Sequence, residues 1–188
     1  ADHPRLIYCS ITGFGQTGPY APRPGYDFLA QGMGGIMSIT GQPGGPPTRV
    51  GASVGDLTAG LFTTIGISSA LHHRAESGKG MKIDVAMLDC QVAILENALS
   101  RYFLSGKSPA PLGARHPSIA PFAAYRTADG HIIIACGTDA LYRKFCAAIE
   151  RPALVDDARF VTNDKRSDNV DALSLEIESA LAGHGTAH

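Results

Sequence analysis

The sequence predicts an α/β fold in its first part, followed by a small α+β unit. Strand-like and helix-like segments alternate over residues 1–105, which favours a layer with a parallel sheet. The segment 106–121 is rich in proline and glycine, and an Asp-Gly pair at 129–130 separates two apolar stretches, as in a β-hairpin. We therefore divide the chain into a large α/β part over 1–105, a linker over 106–121 and a small α+β domain over 122–188.

The elements of the first part follow from their apolar spacing. Residues 6–11 predict a short buried strand that ends in the glycine-rich turn 13–19. A helix over 27–37 is weakened by closely spaced glycines, which usually indicate that backbone approaches another element or a ligand. A longer amphipathic helix starts near Asp56 and continues to about Arg74, with an apolar stripe formed by Leu57, Leu61, Ile65 and Leu71.

Gly78 supplies a stop for that long helix, and residues 82–86 predict the next strand. An amphipathic helix over 88–104 completes the first part. Beyond the linker, strands over 122–126 and 131–136 flank the Asp-Gly turn, and helices over about 140–150 and 168–182 follow.

Composition limits the classes of function. The chain has 188 residues, 44% hydrophobic and 18% charged, so it can bury a substantial core. Its formal net charge is -1 without a basic stripe, so we expect neither a nucleic-acid partner nor an anionic membrane. We find no signal peptide and no apolar run of the length of a membrane span, and therefore expect a soluble, cytoplasmic protein.

Cysteines and histidines do not indicate a metal site. The four cysteines lie far apart without the spacing of zinc ligands, so reduced thiols are expected. The adjacent pair His72 and His73 cannot face one metal from a helix, because neighbouring residues point about 100° apart. We predict that both are surface residues.

Asp56 is the leading candidate for chemistry. A glycine turn places its carboxylate at the start of the long helix, where backbone N–H groups and the helix dipole favour the ionised form. An ionised carboxylate suits a nucleophile that attacks a carbonyl. The alternative is a plain N-cap, since Asp is a common capping residue. The motifs around Asp56 are needed to distinguish a nucleophile from an N-cap.

Those residues resemble the class III CoA-transferase family of the CaiB/BaiF type, which includes formyl-CoA, carnitine and dicarboxylate CoA-transferases and the related acyl-CoA racemases. The matching motifs include Gly55-Asp56-Leu57-Thr58-Ala59-Gly60 and Pro24-Gly25-Tyr26-Asp27. Further matches occur at 6–8, 13–19, 33–41, 78–87, 121–122 and 129–134. The order and spacing of these pieces carry the resemblance, and they cover most of the chain.

The resemblance implies part of a large Rossmann-like domain followed by a small α+β domain, an incomplete version of an interlocked-dimer fold. Members of the family are considerably longer than 188 residues. We therefore expect an internal piece of an enzyme that is a homodimer at full length. The piece alone is expected to be inactive and to expose apolar surface that other segments would cover.

The resemblance also implies a reaction. CoA moves from an acyl-CoA, such as succinyl-CoA, to a carboxylic acid acceptor through an Asp56 anhydride and an Asp56–CoA thioester. Coenzyme A enters as the acyl-CoA substrate, and no metal is expected. Two alternatives stay open, namely an acyl-CoA racemase or epimerase, and an inactive piece that acts as a binding or structural module.

Position 26 separates two branches of the family. Racemase members carry His there, thirty residues before the aspartate (56 − 26), and use it as an acid or base. This chain has Tyr26, and a phenol does not replace imidazole as a proton shuttle at neutral pH. Tyr26 is therefore predicted to line the acyl pocket, with a core tyrosine as the alternative. Its neighbours Gly25 and Asp27 are predicted substrate or CoA contacts, although Asp27 could instead cap the helix that follows it.

The remaining candidates are weaker. Gln16 could face the site or only form its turn, and Arg23 lies near a basic CoA-phosphate contact of some family members. Arg115 and His116 occupy the place of a glycine run found in certain formyl-CoA transferases, which would make the linker an active-site loop. Because the run is missing, we do not expect formyl or oxalate specificity. Arg115 and His116 could instead recognise a carboxylate, and the pattern favours dicarboxylic or hydroxy acids.

Overall fold

A computed structural model describes residues 3–187. The chain divides into two compact units, with unit 1 ending at Gly113 and unit 2 beginning at Ala114. This dividing point lies inside the predicted linker over 106–121.

Within residues 3–113, unit 1 combines two strands with five helices. Its strands pair in parallel, with Tyr8 opposite Lys82 and Thr12 opposite Ala86. This parallel pairing confirms the arrangement predicted from the alternation of elements. In chain order, the elements are β1 (Tyr8–Thr12), α1 (Asp27–Met33), α2 (Ile36–Ile39), α3 (Val54–Ser77), β2 (Lys82–Ala86), α4 (Met87–Ala93) and α5 (Asn97–Ser105).

Two predicted helices are each divided in the structure. The helix predicted over 27–37 breaks at Gly35, whose φ of 91° is open to glycine but strained for other residues. The helix predicted over 88–104 breaks before α5, where Glu96 has a φ of 46°. The apolar stripe predicted over 88–104 is continuous and did not reveal this second break. The break results from the backbone conformation of a single residue, Glu96.

Helix α3 buries a face that the sequence analysis did not expect. Its buried residues are small ones, Gly55, Ala59, Thr63 and Ala70, because α1, α4 and the two strands pack closely against it. The predicted stripe of large apolar residues is exposed instead, with Leu61 at 65% of its full accessibility. Apolar surface is therefore open along α3, as the family resemblance led us to expect.

Strand β1 also corrects a prediction. We expected a buried strand, yet Tyr8 and Ile11 are half or more exposed. Within residues 3–187, β2 is the one strand that pairs with β1, so the other edge and part of the faces stay open. The unit 1 core is small, and its buried members are Ala30, Ala59, Val85, Met87 and Cys90.

By length and composition alone, α3 is long and apolar enough to cross a membrane. This differs from the sequence analysis, which found no apolar run of the length of a membrane span. A single such helix is a weak indication, because core helices of soluble proteins pass the same test. Since α3 packs against α1, α4 and both strands, we interpret it as the central helix of unit 1.

Unit 2 contains the predicted hairpin. Strands β3 (Phe122–Arg126) and β4 (His131–Ala135) pair in antiparallel register, with Arg126 opposite His131. Four further elements follow, α6 (Asp139–Ala148), a 3-10 turn (Pro152–Val155), α7 (Asn163–Asp168) and α8 (Val170–Leu181). The helix predicted over 168–182 is thus preceded by a separate short helix.

The core of unit 2 is larger than that of unit 1. It centres on Phe160, Leu173, Ile177 and Cys146, all of which are fully buried. A cation lies among these side chains, since Arg166 is only 1% exposed. Its guanidinium donates to the carbonyl oxygens of Ala120 and Phe160 and to the Asp139 carboxylate, and it also stacks on the Tyr142 ring.

The cysteines form no disulfide, in agreement with the sequence analysis. Burial raises the pKa of the thiols of Cys90, Cys136 and Cys146. Because the thiolate is the reactive form, a raised pKa leaves less of it at pH 8. We expect iodoacetamide to modify half-buried Cys9 first in the native chain, and the other three only in urea, as peptide mass spectrometry would measure. Equal labelling rates in both states would contradict the packing described here.

Candidate active site

Asp56 is the third residue of α3, in its first turn. The N-cap is Ser53, so Asp56 does not occupy the capping position that was the alternative to a chemical role. Its carboxylate is exposed and makes no hydrogen bond or ion pair within residues 3–187. We had expected backbone N–H groups to hold this carboxylate, and that expectation is wrong. The Gly55 N–H is engaged by another residue.

That residue is Asp27, at the start of α1. Asp27 Oδ1 accepts from the backbone N–H of Gly55 at 2.7 Å, and Asp27 Oδ2 accepts from Gln31 Nε2 at 2.8 Å. Gln31 Oε1 in turn accepts from the Val50 N–H at 2.8 Å, while Gln31 Nε2 also lies 3.4 Å from the Ala52 carbonyl oxygen. The carboxylate therefore binds the first turn of α3, and its hydrogen bonds do not cap its own helix.

These bonds place the 26–27 segment beside the 55–56 segment. Tyr26 is the N-cap residue of α1 and is 71% exposed, so its ring is available to a ligand and is not a core tyrosine. The two motifs that suggested the family are thus adjacent in space, although they are thirty positions apart in the chain. Asp27 and Gly55 supply the direct link between them.

Gly25 has a structural reason to be glycine. Its backbone touches that of Gly13 so closely that a Cβ on either residue would overlap the other residue's Cα. This contact brings the turn after β1 next to the segment that carries Tyr26. A ligand role for Gly25 stays a prediction.

Gln16 and Arg23 have partners within unit 1. The Gln16 N–H donates to Asp84 Oδ2 at 2.8 Å, and its side-chain amide donates to Ser10 Oγ at 2.9 Å, so the turn is attached to both strands. Arg23 lies over the Tyr20 ring at 4.4 Å. Both side chains are exposed, and their predicted contacts with substrate or CoA stay predictions.

Arg115 and His116 lie at the beginning of unit 2. The Arg115 guanidinium is 3.5 Å from Asp171 Oδ1. The His116 ring stacks on Phe122 with centroids 5.0 Å apart, and His116 Nδ1 accepts from the Ser118 N–H at 3.2 Å. These contacts order the loop, and acceptor recognition by the two residues stays a prediction.

The sequence analysis missed two buried glutamines. Gln31 and Gln91 are both fully buried. Gln31 binds Asp27 and the loop before α3, and Gln91 binds a residue of α3 itself. Gln91 Nε2 donates to Thr58 Oγ1 at 3.2 Å, and that hydroxyl donates to the Val54 carbonyl oxygen at 2.6 Å. One signal was available, because Asp27 and Gln31 have the i, i+4 spacing at which Asp and Gln side chains pair on a helix.

Two cavities in unit 1 have linings that do not include Asp56, Tyr26 or Asp27. One of about 260 Å³ is lined by Phe62, Asp84 and Cys90, and another of about 260 Å³ by Ser38, Leu99 and Tyr102. Asp56 lines neither cavity and stands on an open surface. Among residues 3–187, no group of three or more His, Cys, Asp or Glu side chains converges as a metal site would require.

Comparison with known proteins identifies the family. The family described as CoA-transferase family III matches residues 1–188, the whole chain. The chain belongs to CoA-transferase family III. Family membership agrees with the resemblance drawn from the motifs around Asp56 and Tyr26.

Curated relatives of this family III chain are CoA-transferases. The acetyl-CoA:oxalate CoA-transferase of Acetobacter aceti is 49% identical over 187 residues, which are 99% of this chain and 48% of that protein. The succinate–glutarate CoA-transferase of Agrobacterium fabrum is 48% identical over 164 residues, 87% of this chain and 41% of that protein. The chain thus spans about half the length of these relatives.

Solved structures agree with the family assignment and with a mixed α/β fold. A CAIB/BAIF family protein from Brucella suis is 46% identical and superposes with a TM-score of 0.83, covering 98% of this chain and 49% of that one. The two relatives named above are nearly equal in identity but differ in the acids that their names give. Similarity therefore leaves the acceptor open, including the oxalate specificity that we did not expect.

Proposed function

We propose that this chain carries the nucleophile of a CoA-transferase, which moves CoA from an acyl-CoA such as succinyl-CoA to a small carboxylic acid. One observation carries the proposal. The Asp56 carboxylate is exposed and makes no hydrogen bond or ion pair within residues 3–187. It lies in the first turn of α3, beside the 26–27 segment. A carboxylate without a structural partner is available for reaction, and the family of the chain supplies the reaction class.

The reaction proceeds through two kinds of aspartyl intermediate. Asp56 attacks the thioester carbonyl, forming a mixed anhydride and releasing the CoA thiolate. The thiolate attacks the aspartyl carbonyl of the anhydride, giving an aspartyl–CoA thioester and the free donor acid. The acceptor carboxylate then attacks this thioester, releasing CoA thiolate and forming a second anhydride. Attack of the thiolate on the acceptor's acyl carbon yields the new acyl-CoA and restores Asp56.

A carboxylate is required because only an anhydride retains the free energy of the thioester for the second acid. A serine ester would lie much lower in free energy, and the cycle would stop. The start of α3 is the positive end of the helix dipole, which attracts the negative charge of the nucleophile.

The other predicted residues, apart from Asp27, contact the reactants in this proposal. Tyr26 packs against the acyl group, and its exposure leaves room for such a contact. Gly25 contacts Gly13, in the turn that also contains Gln16. Arg23 offers a cation for a CoA phosphate. Arg115 and His116 offer a cation and a hydrogen-bond donor for the acceptor carboxylate.

We further propose that unit 1 is part of a Rossmann-like domain and that unit 2 is part of the small α+β domain of a cytoplasmic, interlocked homodimer. The exposed apolar stripe of α3 supports burial of this face at full length. The chain as given spans about half of its relatives, and we expect it to be inactive by itself.

Hydroxylamine trapping tests the mechanism. Full-length protein is incubated with an acyl-CoA and hydroxylamine, and the peptide containing Asp56 is analysed by mass spectrometry. We expect an aspartyl hydroxamate at Asp56 that appears only when acyl-CoA is present. Continued transfer with an unmodified Asp56 peptide would refute the aspartyl intermediates.

The racemase alternative has its own test. A racemase exchanges the hydrogen at the carbon next to the thioester with solvent in the absence of an acceptor acid. We expect no deuterium incorporation in heavy water, because Tyr26 stands where the acid or base would be needed. Fast incorporation without an acceptor would favour the racemase. Failure of the full-length protein to bind CoA by calorimetry would favour a structural module.

A further inference from the structure

We propose that Asp27 and Gln31 form a positioning pair that fixes the first turn of α3 and thereby aims the Asp56 carboxylate. This inference rests on the proposed role of Asp56 as nucleophile. It gives Asp27 a role different from the ligand contact predicted from the sequence. Asp27 and Gln31 act on the nucleophile through backbone, and neither touches the reactants.

The hydrogen bonds of the pair form one chain of donors and acceptors. The Val50 N–H donates to Gln31 Oε1, Gln31 Nε2 donates to Asp27 Oδ2, and the Gly55 N–H donates to Asp27 Oδ1. These three distances are 2.8, 2.8 and 2.7 Å. Each carboxylate oxygen thus has a protein donor, and the loop before α3 is tied to the helix that it enters.

Burial and close packing restrict which side chains can form this pair. Gln31 is fully buried, so its amide has no water to replace a lost partner. Asp27 is half-buried and lies against Gly55, where a Cβ would come within 2.9 Å of Asp27 Oδ1. Glycine at position 55 therefore lets the carboxylate reach the helix backbone. A buried polar group without a partner is destabilising, so the pair tolerates only complementary changes.

The consequence for catalysis is geometric. Gly55 precedes Asp56 directly, so any shift of the Gly55 backbone moves the Asp56 carboxylate with it. A misplacement of about 1 Å at a reacting group can cost about 100-fold in rate. Loss of the pair should therefore lower kcat and leave binding of the acyl-CoA largely unchanged.

Asp27→Asn in the full-length protein is the first variant. The amide introduced at position 27 has one acceptor, its oxygen, and one donor, its NH2 group. When the oxygen accepts from the Gly55 N–H, the NH2 group faces the NH2 group of Gln31, which is also a donor. When the Gln31 amide rotates to offer its oxygen instead, the NH2 group of Gln31 faces the Val50 N–H, again a donor. Every arrangement leaves a donor against a donor. We expect kcat to fall about 10- to 100-fold, with the KM for acyl-CoA within about twofold of wild type.

Gln31→Glu provides the compensating change. Alone, it places two carboxylates in contact, which repel each other, so kcat should fall as well. In the double variant Asp27→Asn/Gln31→Glu, the new amide at position 27 donates to one oxygen of the new carboxylate at position 31, and the Val50 N–H donates to the other. One mismatch remains, because an oxygen at position 31 then faces the Ala52 carbonyl oxygen across the longest of these contacts, 3.4 Å. We expect the double variant to recover kcat to within about threefold of wild type, a coupling that a double-mutant cycle measures.

The outcomes separate this proposal from the function on which it rests. Wild-type kcat in Asp27→Asn, or a double variant that is no faster than Asp27→Asn, overturns the positioning pair. So does a double variant that fails to fold, because the donor and acceptor pattern would then not explain the pair. If Asp27→Asn itself fails to fold, a folded double variant with near wild-type kcat supports the proposal, and one at least about tenfold slower refutes it.

Asp56→Asn, assayed in parallel, tests the function itself. The matched control is Asp164→Asn, which changes an exposed aspartate in the first turn of α7.

Discussion

Replacing Asp56 by asparagine in the full-length protein is expected to lower kcat for CoA transfer by a factor on the order of 10³ or more, as for other covalent nucleophiles. An amide has nearly the shape of the carboxylate but cannot form the anhydride. We expect Asp56→Ala to lose activity to the same extent. The assay follows transfer of CoA from an acyl-CoA to a panel of carboxylic acids.

Stability should hardly change in these variants, and this distinguishes a chemical role from a structural one. The Asp56 carboxylate is exposed and makes no hydrogen bond within residues 3–187, so only its interaction with the helix dipole is lost. That interaction contributes about 0.3–1 kcal/mol. Unfolding of Asp56→Asn, followed by circular dichroism, should therefore match that of the control Asp164→Asn within about 1 kcal/mol. Retained transfer by Asp56→Asn would refute the nucleophile assignment.

Arg166→Met is expected to give the largest loss of stability, about 3 kcal/mol or more. The guanidinium is buried and donates hydrogen bonds at 2.7 and 3.0 Å to the carbonyl oxygens of Ala120 and Phe160. Methionine has no donor, so both carbonyl oxygens would lose these hydrogen bonds. Each hydrogen bond to a charged group contributes about 1.5–3 kcal/mol, and the stacking on Tyr142 is also lost. The Asp139 carboxylate is half exposed, so losing its partner adds little.

Arg159→Met is the matched control for this variant. Arg159 also pairs with carboxylates and lies over an aromatic ring, but its side chain is 48% exposed. Exposed ion pairs contribute little to stability because water and salt screen them, so Arg159→Met should unfold close to wild type. Because the chain has no tryptophan, urea unfolding is followed by circular dichroism. Equal losses in the two variants would show that burial of Arg166 does not determine its contribution.

Local sequence signals predicted much of the fold. Alternation of elements predicted the parallel pairing of β1 with β2, and the Asp-Gly pair predicted the hairpin of unit 2. Both signals work because backbone preferences act over a few residues. The boundaries were less certain, as the divisions at Gly35 and Glu96 demonstrate. A single residue with positive φ ends a helix without changing the apolar period around it.

Burial was predicted less well than secondary structure. The leucine stripe of α3 was expected to face a core, but Leu57 and Leu61 are exposed and the small residues on the other face are buried. Amphipathic spacing tells which residues share a face, and it does not tell which neighbour covers that face. The tight packing of α1 and α4 requires glycine and alanine, which carry little hydrophobic signal in a sequence.

The sequence by itself determined which residue types are available for chemistry and their order along the chain. It selected Asp56 and Tyr26 and the family to which their motifs belong. Only the tertiary structure decided that Asp56 is free while Asp27 is bound. Two carboxylates near helix starts look alike in a sequence, and the difference arises from a hydrogen bond between residues 28 positions apart. Such a bond depends on how α1 packs against α3, which no local pattern encodes.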